Sequence, residues 1–575
     1  MKHYILVSLS IIQLFHSFTV ATSAMYPTNK LSFHTNPNPF QLSTVSSSSS
    51  LSSSLSIPTY DLSYINGIEY TPALAPGNSL WWYNWSDYAE EIDKELNGAV
   101  KHFQFNHLRM FLHNMVYDVD NGVTLFSAME GFLTIANKYN MTSSFAFFDD
   151  CWNHNDANLT NPCVPVPGKH NGCWFACPQD SQRTNVTNFH DYVYNTVAHF
   201  ANDKRIAFWE IFNEPNNSPF SLQLRDAAYN WTVTALMNNQ ATIPVLSCWD
   251  DNQDSMVVDM HRYDTNFVGW SSQIFQNTNK GGLITEGGCR WYPTYDDSGS
   301  PLMILHWYNI LKSITPSTAA PFKFGIITSW ELAVGNSNTR WHWSTPDNTP
   351  EPVIPWCGHM FPDNTPVSYT EAAALRNSTT GKNDFLAFDK FLPSNNYQLT
   401  EDNYLCLYQN QSYTITLLPN SPPGDLTNIL IETTIWLNTT IGGGILFRAN
   451  TNNNQLTGYF AGFRSFYSSL LTLELWTENQ SPQILASFNM STLNCGLSSN
   501  GWNMLRVVVQ GNMFAIYANP MYLDAIQPEG ILPRLTYIDN TFTDGTVMLV
   551  AANDNTVTNE CTRFDYIGVL PASVL

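Results

Sequence analysis

The chain has 575 residues, too many for one domain and enough for about two or three. Hydrophobic residues make up 43% and charged residues 13%, so the chain can bury large cores and is not intrinsically disordered. The balance of 25 Lys and Arg against 47 Asp and Glu gives a net charge of −22, which excludes nucleic acid and anionic membrane surfaces as partners.

Residues 1–24 read as a signal peptide: Lys2 and His3 precede an apolar run over 4–15, and small residues follow up to Ala24. That run is short for a membrane span, and no other stretch reaches the length a span needs. The C-terminal residues 568–575 lack a lipid-anchor tail. Residues 25–57, rich in Ser, Asn, Pro and Thr, cannot build a core and read as a flexible, disordered stalk. Ten cysteines fit an oxidising compartment. Asn84, Asn140, Asn158, Asn185, Asn230, Asn377, Asn410, Asn438 and Asn489 each begin a glycosylation sequon. The expected location is outside the cell or in the endolysosomal lumen, and the expected state is a soluble monomer with no membrane span. Disulfide pairing is open from sequence alone. Cys151, Cys163, Cys173 and Cys177 cluster, and Cys173 with Cys177 offers a weak zinc alternative.

Over residues 58–380, apolar strands alternate with helical patterns. Strands are predicted at 66–71, 105–113, 142–148, 206–212, 243–247, 257–260, 282–285 and 325–329, with helices over 125–139 and 189–202. Eight such strands point to an α/β fold, a (β/α)8 TIM barrel. The alternative, a doubly wound open sheet, lacks a Gly-rich phosphate loop after its first strand. A linker covers 381–394. From 395 to 575 helical periodicity gives way to short alternating segments at 413–418, 429–437, 444–448, 471–476, 504–509, 513–517 and 546–550, the pattern of an antiparallel β-sandwich or jelly roll.

In a barrel, function gathers at the C-terminal strand ends. Standing there are Arg109 and His113; Asp149, Asp150 and Trp152; Asn213 and Glu214; Trp249, Asp250 and Asp251; His261 and Tyr263; Glu286; Trp330 and Glu331. Glycoside hydrolysis needs two carboxyl groups, one donating a proton to the leaving oxygen and one, in retaining enzymes, attacking the anomeric carbon roughly 5 Å away. The attacking group wants Arg and other donors beside it, whereas the acid wants burial or a nearby negative charge. Glu214 and Glu286 are placed for that pair. Asp149, Asp150, His154 and Asp156 match no calcium loop, so no metal is expected, and the chemistry requires no cofactor. Trp and Tyr are abundant, at 18 and 27, and would serve either sugar stacking or large β-rich cores; Trp81 and Trp82 could line the cleft or cover the barrel.

Asn213-Glu214-Pro215 closing one apolar strand, with Leu283-Ile284-Thr285-Glu286-Gly287 closing another, resembles glycoside hydrolase clan A, closest to cellulase-like members of family 5. Residues 200–215 carry most of the likeness, which extends to Arg109, His261-Arg262-Tyr263 and Trp330. The resemblance implies Glu214 as acid/base, Glu286 as nucleophile, Asn213 on the sugar 2-hydroxyl and Arg109 holding the nucleophile ionised. It further implies that His261 and Tyr263 orient the nucleophile and that Trp330 forms the floor of the sugar site. Gly287-Gly288 departs from the aromatic that often follows the nucleophile in family members. Residues 441–448 and 563–568 resemble concanavalin- or laminin-G-like jelly rolls, which also follow catalytic barrels in galactosylceramidase-like enzymes. The implied activity is retaining hydrolysis of a β-linked polysaccharide or glycoconjugate. The alternatives are an exo-acting or glycolipid-directed β-glycosidase and a non-catalytic carbohydrate-binding protein.

Overall fold

The computed structural model describes residues 60–75, 79–151, 157–160, 163–215, 218–247, 257–262, 282–287, 289–290, 324–328, 330–380, 387–388, 398–399, 405–408, 412–414, 427–437, 442–452, 455–464, 469–492, 497–498, 501–551 and 561–575. Ile57–Leu575 forms one compact unit. The stretches read as a signal peptide and a Ser-rich stalk lie outside the described residues.

The first part is built on eight parallel strands: β1 Asn66–Glu69, β2 His107–Phe111, β3 Thr142–Asp149, β4 Ile206–Asn213, β5 Val245–Leu246, β6 Val258–Arg262, β7 Gly282–Gly287 and β8 Phe324–Thr328. Their order is β5-β4-β3-β2-β1-β8-β7-β6. Strand β1 thus sits between the second and the last, with Ile68 opposite both Leu108 and Thr328. Each of the eight falls where the hydrophobic pattern predicts one.

Parallel neighbours need crossovers, and helices supply them. They are α1 Trp85–Phe103 after β1, α2 Asn114–Asp118 and α3 Val123–Lys138 after β2, α4 His190–Phe200 after β3 and α5 Pro219–Asn238 after β4. In α3 the buried Leu125, Ala128, Met129, Phe132, Leu133 and Ala136 recur at the spacing that places them on one face. The start of α5 is set by Ser218, whose side chain accepts from the Ser221 N–H, with Pro219 in the first turn. These apolar faces pack on Ile68, Leu108, Met110, Phe145, Phe147, Trp209 and Ile211 of the strands to form the main core. Trp81 and Trp82 belong to that core, stacked with ring centroids 3.9 Å apart, and Trp82 Nε1 donates to the Phe111 carbonyl at 2.8 Å. They cover the core and do not line a cleft.

Strand residues alternate faces, so the neighbours of Leu108 and Met110 point the other way. That second face is polar yet buried, holding His107 and Arg109 on β2, Glu69 on β1 and Glu210 on β4. His107 bonds Thr142 Oγ1 and Ser144 Oγ, both at 2.9 Å, and stacks on Phe208. Burial pushes its imidazole down to about 3, so it is a neutral spacer.

The remaining strands form two antiparallel sheets. One contains Gln398–Leu399, Leu405–Leu407, Thr562–Pro571, Asn428–Leu437, Gly501–Gln510, Met513–Ala518 and Leu535–Ile538. The other contains Ser412–Thr414, Thr546–Ala551, Gly443–Asn452, Gln455–Phe463, Leu470–Trp476 and Gln483–Asn489. They share one core, with Ile429, Ile431 and Val507 from the first meeting Ile445, Phe447 and Tyr459 from the second.

The two parts meet through α6, Tyr369–Thr380. Leu430 and Val508 on the outer face of the first sheet pack on Tyr369, Ala373 and Ala374. Beside them Glu432 is fully buried, accepting from Ser368 Oγ at 2.5 Å, Arg506 Nε at 2.9 Å and Tyr566 at 3.1 Å. Arg506 donates onward to the Val367 carbonyl at 3.1 Å. No helix among the described residues is long and apolar enough to cross a membrane.

Disulfides join Cys163 to Cys173, Cys289 to Cys357 and Cys406 to Cys561, while Cys151 and Cys177 are free thiols. With Cys173 bonded to Cys163, the zinc alternative at Cys173 and Cys177 falls away. Cys289 follows closely on β7, and the adjacent Arg290 is buried. Its Nε donates to Glu371 Oε1 at 2.8 Å, and its Nη1 donates to the Pro355 and Gly358 carbonyls at 2.9 and 2.8 Å. The Cys289–Cys357 bond closes 68 residues of chain, worth about 4 kcal/mol in loop entropy. A Cys289→Ala, Cys357→Ala protein should therefore lose about that much unfolding free energy in urea; a loss below about 1 kcal/mol would show that the Arg290 bonds alone hold this segment.

Candidate active site

The site is organised around Arg109, fully buried on β2. Its Nη1 donates to Glu69 Oε2 at 2.7 Å and Glu286 Oε2 at 3.2 Å; Nε and Nη2 fork onto Glu210 at 2.7 and 2.5 Å; Nη2 also reaches Asn213 Oδ1 at 2.8 Å. One guanidinium thus ties together β1, β4 and β7. Burial drives the Glu69 carboxyl well above the ordinary range, with Arg109 only partly offsetting it.

Asn213 ends β4. Its Oδ1 is held by Arg109 and its Nδ2 donates to Asp149 Oδ1 at 3.0 Å. Asp149, at the end of β3, also accepts from Trp174 Nε1 and from the Cys151 N–H. Asp150 is engaged by Ser221 and Arg183. Both aspartates are thus tied into local hydrogen bonds, and His154 and Asp156 lie outside the described residues.

Glu214 turns out of the strand with φ 51°, in the left-handed region, before Pro215 ends the ladder. Its carboxylate accepts from His261 Nδ1 at 2.8 Å on Oε1 and from Cys151 Sγ at 3.0 Å on Oε2. His261, at the end of β6, also lies 3.4 Å from Glu286 Oε2. Ligand atoms of Glu214, His261 and Glu286 all fall within 4.8 Å of one another. The Glu214 side chain is 32% exposed and that of Glu286 8%. Burial raises the Glu214 carboxyl, but His261, through its hydrogen bond and charge, together with Cys151 and Arg109, outweighs burial and draws it down to about 2. His261 thus stands between the two glutamates, at 2.8 Å from Glu214 Oε1 and 3.4 Å from Glu286 Oε2.

Those three side chains could also hold a divalent ion, since they match the ligand count of a catalytic zinc site. Against this, Arg109 already presses a permanent positive charge on the Glu286 carboxylate, 3.2 Å from Oε2.

The aromatic wall consists of Phe111, Trp174 and Trp330, with Trp330 edge-on to Phe111 and tilted against Trp174 at centroid distances of 5.6 and 5.0 Å. Trp330 is only 4% exposed and donates to Asn171 Oδ1 at 3.2 Å, so it offers a ligand little area in this conformation. His113 caps α2 through the Met115 N–H. Tyr263, Trp152, Trp249, Asp250 and Asp251 lie outside the described residues. The arrangement brings together Arg109, Asn213, Glu214, His261 and Glu286. It adds Asp149, which the sequence places at a strand end, and Glu69, Glu210 and Cys151, which the sequence reading did not assign to the site. Glu69 and Glu210 each interrupt an apolar strand, and a carboxylate in such a run needs a buried cation; that signal could have found them.

No family model matches this chain, and no curated protein does. Among solved structures, the chain is similar to β-glycosidase BGL167 at 10% identity, over 58% of this chain and 100% of that one, with a TM-score of 0.38. It is similar to Fpglu1 from Fervidobacterium pennivoraus at 11% identity, over 56% and 97%, with a TM-score of 0.36. The carbohydrate-binding module CBM66 from Bacillus subtilis aligns at 15% identity over 29% of this chain and 81% of that one, with a TM-score of 0.19.

Two titrations follow from these surroundings. In His261→Ala, burial acts on Glu214 with its main opposition gone, so the carboxyl should rise from about 2 toward or beyond its ordinary 4.5. A pH titration of carboxyl-labelled protein by NMR reads this directly, and an unmoved midpoint would show that His261 is not the cause. The second concerns Glu331, which accepts from Ser337 and Thr339; burial raises its carboxyl to about 8, above its ordinary 4.5. A raised carboxyl contributes stability at low pH that is lost as pH rises toward 8. The melting temperature of wild type relative to Glu331→Gln should therefore fall between about pH 5 and about pH 8; a constant difference would contradict the assignment.

Proposed function

We propose that the chain is a secreted β-glycoside hydrolase that works with retention of configuration and is of the clan A, family 5 type. The observation that carries this reading is the approach of Glu214 and Glu286. An oxygen of each lies within 4.8 Å of the other at the ends of β4 and β7, matching the roughly 5 Å of retaining pairs rather than the wider gap inversion requires. Glu286, paired with Arg109, attacks the anomeric carbon; the glycosidic C–O bond breaks and the leaving oxygen takes a proton from Glu214. Water then attacks the glycosyl ester, giving its proton back to Glu214 and releasing Glu286.

The proton source is the Glu214–His261 pair. At 2.8 Å, one transfer from Nδ1 to Oε1 converts the carboxylate into the acid. Asn213, whose Nδ2 also reaches toward Cys151 Sγ at 3.6 Å, can turn that hydrogen from a weak sulfur acceptor to the sugar 2-hydroxyl. Tyr263 joins His261 in orienting the nucleophile, and Trp330 with Phe111 and Trp174 lines the sugar site. No step requires a cofactor.

In this reading the eight parallel strands close as a (β/α)8 barrel spanning 58–380, which their cyclic order supports. The linker runs over 381–394, and the two-sheet unit over 395–575 is a jelly roll. Residues 1–24 are the leader and 25–57 the stalk. The exposure of Asn140, Asn158, Asn185, Asn230 and Asn489 and the three disulfides support passage through an oxidising, glycosylating compartment.

The test is hydrolysis of aryl β-glycosides and a β-glycan panel by the purified full chain. Glu286→Ala should abolish turnover, with azide restoring it as a glycosyl azide; Glu214→Ala should cost about 10²–10⁴-fold in kcat on substrates with poor leaving groups. NMR of the first-formed product should show the β-anomer. An α-anomer as first product would overturn retention, and wild type that binds a β-glycan without turning any over would replace the enzyme with a binding protein.

A further inference from the structure

We propose that Cys151 is a positioning residue for Glu214: its thiol clamps the carboxylate oxygen opposite the one held by His261. This rests on the reading of Glu214 as the acid/base. Cys151 follows the end of β3, and neither it nor Cys177 belongs to a disulfide. Its Sγ stands 3.0 Å from Glu214 Oε2 and 3.6 Å from Asn213 Nδ2. The polarity of this contact is set by its neighbours. Arg109 takes Asn213 Oδ1, which turns the amide N–H groups toward Asp149 and the sulfur. A sulfur that accepts from Asn213 has its S–H free to donate, and an ionised carboxylate at 3.0 Å is the acceptor.

The nearby Asp149 is a poorer destination for that hydrogen. It already accepts from Asn213, Trp174 and the Cys151 N–H, whereas Glu214 Oε2 has no other donor among the described residues. A row of bonds therefore runs from Arg109 through Asn213 and Cys151 to Glu214. The guanidinium that holds Glu286 also fixes, through this row, where the second carboxyl points. A Glu side chain has three rotatable torsions, and Glu214 is 32% exposed, so among the described residues the thiol and His261 share its restraint. The thiol also favours the ionised form of Glu214 over the acid, and burial beside Asp149 and Glu214 in turn keeps the thiol protonated.

Two measurements on the full chain test this. Alkylation of Cys151 by iodoacetamide at about pH 8, followed by mass spectrometry of its peptide, should run about tenfold faster in Glu214→Gln than in wild type, because a one-unit fall in thiol pKa raises the thiolate fraction tenfold. Equal rates would overturn the thiol–carboxylate bond, and this arm needs no enzymatic activity. In Cys151→Ala, kcat should fall about five- to tenfold with KM unchanged, and the alkaline limb of kcat/KM should move up by about half a unit to one unit as Glu214 holds its proton more tightly. Cys151→Ser, which keeps a donor, should restore both. A Cys151→Ala enzyme with wild-type kcat and pH profile would refute the positioning role. A wild type that hydrolyses no β-glycoside would instead refute the functional reading and leave the alkylation result to decide the contact.

Discussion

Arg109 carries a positive charge into a fully buried place. Withdrawing such a group from solvent costs several kcal/mol, and mutual attraction with carboxylates recovers this only when the geometry is good and every donor is used. Here the fork is occupied by Glu210, the remaining arm by Glu69 and Glu286, and the last donor by Asn213. Because these acceptors come from three different strands, the buried charge specifies how β1, β2, β4 and β7 are set relative to one another. The neutral His107 on the same face of β2 and the apolar layer around Phe208 and Leu283 shut water out on one side. The position of Glu286 thus depends on the same guanidinium.

The second carboxyl obeys a different balance. A general acid is commonly prepared by burial, which favours the protonated form. Glu214 is only partly buried and faces an imidazole, so attraction prevails over burial and its carboxyl is drawn down to about 2. His261 also approaches Glu286, so its charge state is read by both glutamates at once. The resemblance implies that His261 orients Glu286; its shorter contact is with Glu214.

Legibility followed burial pattern. All eight parallel strands stood out because strands buried on both sides read as continuous apolar runs, and α3 stood out because its apolar positions recur at helical spacing. By contrast α1 was passed over. It carries Asp87, Glu90, Glu91, Asp93, Lys94 and Glu95 over a narrow apolar stripe, and two of its acids turn inward: Glu95 takes the Tyr70 hydroxyl and Glu91 the Leu74 N–H. Gln455–Phe463 escaped notice since Gly458 and Gly462 break its alternation, yet there the glycines admit close backbone neighbours. Within the site, residues at strand ends could be named from position. Contacts such as Cys151 with Glu214 arise between segments far apart in sequence, and no local pattern encodes them.

The seam between the two parts bears on modularity. Glu432 and Arg506 of the antiparallel unit are neutralised by each other and capped by Ser368 and the Val367 carbonyl, while Glu371, in the first turn of the same helix, grips Arg290 just beyond β7. Detaching either part would strip a buried ion pair of its remaining partners and bare the apolar patch of Tyr369, Ala373 and Leu430. The parallel sheet is thus no cassette that can be lifted out and fitted to another appendage. The helix that seats the antiparallel unit also anchors, through Glu371 and Arg290, the chain just past the strand that carries Glu286.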